Sequence, residues 1–237
     1  MSGKELIFIL IVFLANTIEG ITGFAGTMLA MPPSMLLIGV KEAKAALNIV
    51  AIIVSSGIAI RNYKDVNKRE VIKITLFMLV GMVAGLYLFS VLPLENLSVM
   101  YGALIIIVAI RGLFVKKQSE LPAWALIFIV LGAGVIHGMF LSGGALLVLY
   151  AVSVLKDKSM IRATLAPVWV ILNCIILVQD IMVGVFTPEI LRLTAFSIPP
   201  LILALVLGNI LHKVIRQEAF VKLTYMLLIV AGLTLLF

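Results

Sequence analysis

Charge is scarce in this chain. Only 12% of its 237 residues are Asp, Glu, Lys or Arg, about half the share of a soluble domain. Hydrophobic residues make up 63%, and the mean hydropathy is +1.27. A soluble globular domain is excluded; most elements must face lipid or one another. Cysteine is nearly absent. The single Cys174, inside an apolar segment, rules out a disulfide framework and a cysteine metal site. Two histidines are too few for a multi-histidine centre. No metal and no cofactor is therefore expected. No nucleotide-binding motif is present, so an ATP-driven pump would need a separate subunit. The net charge of +7 could suit nucleic acid. In a membrane protein, basic residues held in cytoplasmic loops explain it better, so no nucleic-acid partner is expected.

What the chain does have is long apolar runs. A bilayer crossing needs about 17–25 residues. Candidate segments run over about 5–39, 43–60, 71–92, 97–114, 122–155, 161–183, 188–211 and 217–236. The loops between them are short, which predicts one transmembrane domain over 1–237. Lys4 followed by Leu6–Ala15 has the make-up of a signal peptide. It runs straight into a Gly-rich stretch whose counterpart is internal, so it reads as a retained helix.

Two segments are too long and are interrupted. The first break reads Ile18-Glu19-Gly20-Ile21-Thr22-Gly23-Phe24-Ala25-Gly26-Thr27. The second reads Ile136-His137-Gly138-Met139-Phe140-Leu141-Ser142-Gly143-Gly144-Ala145. Placing Gly20 on Gly138, 118 residues on, also places Glu19 on His137, Gly26 on Gly144 and Lys44 on Arg162. With a small insertion, Gly85 falls near Gly208 and Tyr101 near Tyr225. The pattern predicts two four-segment repeats, about 5–115 and 122–237. Interrupted segments at corresponding places in two halves point to the substrate site of a secondary transporter.

Charge location sets the topology. Arg61, Lys64, Lys68, Arg69 and Lys73 follow segment 2. Arg111, Lys116 and Lys117 follow segment 4. Lys156, Lys158 and Arg162 follow segment 5, and Lys213, Arg216 and Lys222 follow segment 7. These are 14 of the 18 basic residues. Eight simple crossings would split them almost evenly between the two sides, against the positive-inside rule. The conflict disappears if segments 1 and 5 enter and leave on one side as re-entrant hairpins. Their half-helices of about 12–16 residues would span about 18–24 Å. The 14 basic residues then share one face, only Lys4, Lys41, Lys44 and Arg192 lie on the other, and the halves are inverted. The expected fold is thus an all-α integral membrane protein of inverted repeats. A rival keeps segment 1 as a broken but complete crossing.

Each break would free backbone N–H groups and a partial positive charge at the start of the following half-helix, a ready anion site. Gly23, Gly26, Gly143 and Gly144 would allow tight bends and close approach. Thr22, Thr27 and Ser142 would add hydroxyl donors. The plain alternative is that these glycines only let helices pack closely. Glu19 and His137 are the deepest ionisable groups, candidates for binding a coupling proton or, for His137, the anion. A structural hydrogen bond would explain either equally well. Lys44 and Arg162 could guide an anion or merely snorkel to the interface. Asn48, like Asn16, Asn173 and Gln179, could line a pathway or bridge helices. Thr164-Leu165-Ala166-Pro167 predicts a kink. Asp180 and Glu189 read as interface groups, and Trp124 and Trp169 as packing or belt residues. Ser142 and His137 lack an orienting third group, so no intramembrane hydrolase, and no enzyme, is expected.

The repeated pattern resembles the sulfite exporter TauE/SafE family, also called the toluene sulfonate uptake permease family. The first copy is Gly20-Ile21-Thr22-Gly23-Phe24-Ala25-Gly26-Thr27 through Met31-Pro32, then Lys44-Ala45-Ala46-Leu47-Asn48. The second is Gly138-Met139-Phe140-Leu141-Ser142-Gly143-Gly144-Ala145, then Arg162-Ala163-Thr164. The resemblance spans essentially the whole chain. The family's run of glycines is reduced here to Gly23-Phe24-Ala25-Gly26 and Gly143-Gly144, and the second-copy Pro is replaced near Tyr150. The resemblance implies transport of a sulfur-containing anion, such as sulfite or a sulfonate, across a prokaryotic inner membrane. The alternatives are a passive anion channel and a non-transporting structural membrane protein. Oligomeric state stays open, with a homodimer one option.

Overall fold

The structure, a computed structural model, describes residues 3–114, 122–155, 157–214 and 216, and of the remainder residues 222, 225, 226, 229, 230, 232, 233 and 236. The eighth apolar segment therefore lies largely outside the described residues, as do Lys116, Lys117 and Lys156. Among the described residues the chain is helical, with no strand.

Both interrupted segments break where the glycines cluster. α1 (Gly3–Thr22) stops at Gly23, whose φ of +82° an L side chain would resist, and α2 (Gly26–Ile38) restarts three residues later. α6 (Ala123–Phe140) ends at Leu141 in the left-handed conformation, φ 57°, and α7 (Gly144–Val154) follows. The limbs are unequal. α1 has 20 residues and α6 has 18, longer than the half-helices the sequence suggested, while α2 has 13 and α7 has 11.

The other helices are α3 (Val40–Arg61), α4 (Lys68–Val91), α5 (Leu94–Phe114), α8 (Lys158–Val183) and α9 (Pro188–Val214). Asn67 caps α4 by accepting from the Glu70 N–H, and Asp157 caps α8 by accepting from the Ser159 and Met160 N–H groups. Among the described residues, six helices (α1, α3, α4, α6, α8 and α9) are long and apolar enough to cross a membrane. The two most buried are α3 and α8, which pack on each other at the centre. α4 and α9 present Leu76, Val80, Val83, Ile202, Val206 and Ile210 outward, faces suited to lipid.

The pairings correspond between the two halves. α1 packs on α9, and α6 packs on α4. Glu5 pairs with Arg192 near the starts of α1 and α9, and the His212 Nδ1–H donates to the Ile21 carbonyl near their ends. These two helices therefore run in the same direction. α6 runs likewise along α4: a Cβ on Gly134 would strike the Met78 carbonyl, and one on Gly138 the Met82 carbonyl. A Cβ on Gly20 would lie 3.0 Å from the Gly208 Cα, and one on Gly138 would lie 3.2 Å from the Gly85 carbonyl carbon. Gly20, Gly138, Gly85 and Gly208 thus serve close helix packing.

Several basic ends meet on one face. The Asn67 N–H before α4 donates to Thr164 Oγ1 on α8, Lys158 donates to the His212 carbonyl, and Arg61, Asn209 and Lys213 border one hollow.

Candidate functional site

The two breaks and the middle of α3 and α8 enclose a narrow cavity of about 10 Å³, room for roughly one water. Glu19, Thr27, His137 and Gly144 line it, joined by Ser55 and Ala51 of α3 and Trp169 and Asn173 of α8. Three wall pairs share the 118-residue offset: Glu19 with His137, Ala51 with Trp169, and Ser55 with Asn173. The two halves contribute corresponding positions to one centre.

Polar atoms there are buried and unsatisfied. Glu19 Oε2 faces Ser55 Oγ and the His137 ring faces Asn173, yet none of these side-chain atoms makes a hydrogen bond of normal geometry among the described residues. Glu19 is 4% exposed and His137 1%. An unsatisfied buried polar group costs about 1–3 kcal/mol, so such a cluster marks a place prepared for a polar guest.

Local structure explains how each group arrives. Glu19, in the last turn of α1, lies against the first turn of α2. Its carboxyl faces the backbone N–H groups of Gly26 and Thr27, the Ser55 hydroxyl and the Arg162 guanidinium. Only glycine fits at 26, because a Cβ there would overlap Glu19 Oε2. Ala25, at the start of α2, supplies no side-chain cap. His137 sits one turn before the second break, with its ring 5.2 Å from that of Trp169. Trp169 Nε1 donates to the Gly23 carbonyl at 3.1 Å, and Thr27 Oγ1 donates to the Leu141 carbonyl at 2.6 Å. Each break is thus tied to the opposite half.

The remaining predicted residues have other partners. Thr22 Oγ1 returns to the Ile18 carbonyl of its own helix. Ser142 Oγ accepts from Tyr101 and donates to the Phe140 carbonyl, away from the cavity wall. A Cβ on Gly143 would meet the Ala133 carbonyl, and one on Gly144 the Phe24 carbonyl, so both close the packing around the break. Asn48 Nδ2 donates to the Asn173 carbonyl at 3.2 Å, joining α3 to α8.

Lys44 and Arg162 do not snorkel: each is 4% exposed. Lys44 Nζ donates to the Gly138 carbonyl at 2.7 Å and lies over the Phe89 ring, with Asp180 as its acidic neighbour. Arg162 donates to Asn209 on α9, and its stem packs against Gly23. Of the two readings of Trp169, packing holds: it is a buried cavity wall, not a belt residue. Asp180, read as an interface group, is half-buried and within electrostatic reach of Lys44. Ser55 was missed by sequence reasoning. Carrying the 118-residue offset back from Asn173 would have found it.

Several helices able to span a bilayer, folded around a buried polar centre, define a multi-pass membrane protein. The chain belongs to the sulfite exporter TauE/SafE family, whose model matches residues 8–235. No curated protein and no solved structure matches it. The family is one of membrane transporters, which brings a small anionic substrate and a lipid environment with it.

Proposed function

We propose that this protein is a secondary transporter of a small sulfur-containing anion, sulfite, a sulfonate or another organosulfur anion, in a prokaryotic inner membrane. The observation that carries this reading is the cluster of buried, unsatisfied polar atoms where the two broken segments meet. The anion is held near midplane between the starts of α2 and α7, with Thr27, His137, Ser55 and Asn173 as side-chain contacts. Gly23, Gly26, Gly143 and Gly144 shape the two breaks. Lys44 and Arg162 add positive charge at the flanks.

The two halves act as inverted repeats, and rocking of one against the other exposes the site alternately. The parallel runs of α1 with α9 and α6 with α4, and the offset wall pairs, support this arrangement. A proton bound at Glu19 or His137 couples the movement.

An open channel fits less well, since the central cavity is narrower than any oxyanion. A purely structural role gives no return for leaving so many buried polar atoms unpaired. The test is the melting shift of the purified protein with sulfite, sulfate, thiosulfate, sulfoacetate, an aromatic sulfonate and matched carboxylates, followed by flux in proteoliposomes. A selective shift with saturable flux supports the reading. Unsaturable, uncoupled flux would mean a channel. No shift and no flux would leave a structural protein.

A further inference from the structure

The start of α2 already has a carboxyl group against it. Glu19 reaches it from the preceding helix, and its carboxyl faces the Gly26 and Thr27 N–H groups that would greet a substrate. Three observations make this placement specific. Gly26 leaves no room for any side chain beside Oε2. Oε2 itself is buried without a hydrogen-bond partner among the described residues, on the wall of the cavity. And that cavity holds about 10 Å³, room for a water but not for an oxyanion. The second break lacks this feature. His137, the residue at the offset position, carries no acid to the start of α7.

We infer that Glu19 is a tethered stand-in for the substrate: its carboxylate and the incoming anion compete for the first turn of α2. This rests on the transport reading above. Two negative charges cannot share that turn in a water-poor centre. Anion binding therefore requires Glu19 to take up a proton, give up its charge and turn aside, which widens the cavity. The charged and titratable groups facing Glu19 are Arg162 from α8 and, across the cavity, His137 from α6. Ser55 from α3 and Thr27 from α2 are neutral. On α9, Asn209 engages Arg162, and His212 engages the Ile21 carbonyl.

The sign follows. Protonated Glu19 admits the anion, so affinity falls as pH rises, by up to about tenfold per pH unit for one linked proton. Calorimetric titration of the full-length protein with methanesulfonate and with sulfate, from about pH 5.5 to about pH 8.5, reads this directly. Neither probe changes its own charge in that range. Wild-type binding should weaken with pH and take up close to one proton per anion, read from buffers of different ionisation enthalpy. Glu19→Gln should bind at least as tightly as the wild type at its most acidic, without pH dependence, while losing coupled flux. His137→Asn, which removes an anion contact, should weaken binding at every pH but keep both the slope and the proton uptake.

Anion binding by the wild type without proton uptake overturns the inference even where Glu19→Gln fails to fold. So does weaker binding by Glu19→Gln, or a slope that follows His137. Absence of binding of either probe and of the sulfur-anion panel, in the wild type and in Glu19→Gln, would instead overturn the transport reading and this inference with it.

Discussion

At the α1–α2 break a carboxyl group, Glu19, lies against the first turn of the short helix. At the α6–α7 break the offset position holds the imidazole of His137, tilted against the ring of Trp169. The backbones share a plan: a long limb, a three-residue interruption and a short limb starting on glycine. The electrostatics do not. One helix start faces a carboxyl group, and the other break has an imidazole with the Lys44 ammonium on the nearby Gly138 carbonyl. The frames match while the residues at this one offset pair, Glu19 and His137, differ in chemistry. A site with one end filled by its own acid can link anion and proton occupancy, whereas two open ends would bind an anion without regard to pH.

The sharpest way to break that comparison is at the glycines that begin the short helices. Gly26→Val should expel the Glu19 carboxyl, abolish sulfite flux in proteoliposomes and cost about 1–3 kcal/mol in thermal unfolding through overpacking. Gly144→Val meets backbone of Phe24 instead and should cost similar stability without touching an acid. Gly132→Val is the control, since its Cβ would meet only Leu146 Cδ1 at 3.4 Å, and it should melt near the wild type.

Equivalence of the halves is tested next. Gly85→Leu and Gly208→Leu disturb corresponding crossings, α4 with α6 and α9 with α1, and each should cost about 1–3 kcal/mol in a melting assay. Strongly unequal costs would mean that the two crossings do not bear load alike. Smaller effects are expected at the cavity wall. Asn173→Ala and Ser55→Ala each remove one polar partner and should weaken sulfite binding by about tenfold or less, read by calorimetry. Trp169→Phe deletes the bond to the Gly23 carbonyl and should lower stability by about 1 kcal/mol. Ser142→Ala loses its link with Tyr101, also about 1 kcal/mol. Its effect on affinity should be smaller than that of Asn173→Ala.

The long apolar runs and the two interruptions could be read in the chain. They depend on local facts: hydrophobic length against bilayer thickness, and glycine's tolerance of positive φ at residue 23. That Arg61 and Lys213 lie together, and Lys158 near the end of α9, agrees with the expected grouping of basic loops. Side-chain roles were legible only in part. Glu19 and His137 stood out as ionisable groups deep in apolar segments, and both line the cavity. Ser142 stood out equally, yet it turns to Tyr101. Lys44 and Arg162 looked like interface residues and are buried, each answered by a partner distant in sequence.

By itself, then, the sequence determined a helical membrane protein with paired breaks, because periodicity, length and glycine placement act over neighbouring residues. Only the tertiary structure decided that Ser55 and Trp169 share a cavity with Glu19 and His137, that Ser142 does not, and that α2 starts against an acid. Those outcomes depend on how α3 meets α8 and how each break is tied to the opposite half. Contacts between residues distant in sequence, such as Trp169 with Gly23 and Thr27 with Leu141, leave no local pattern in the chain.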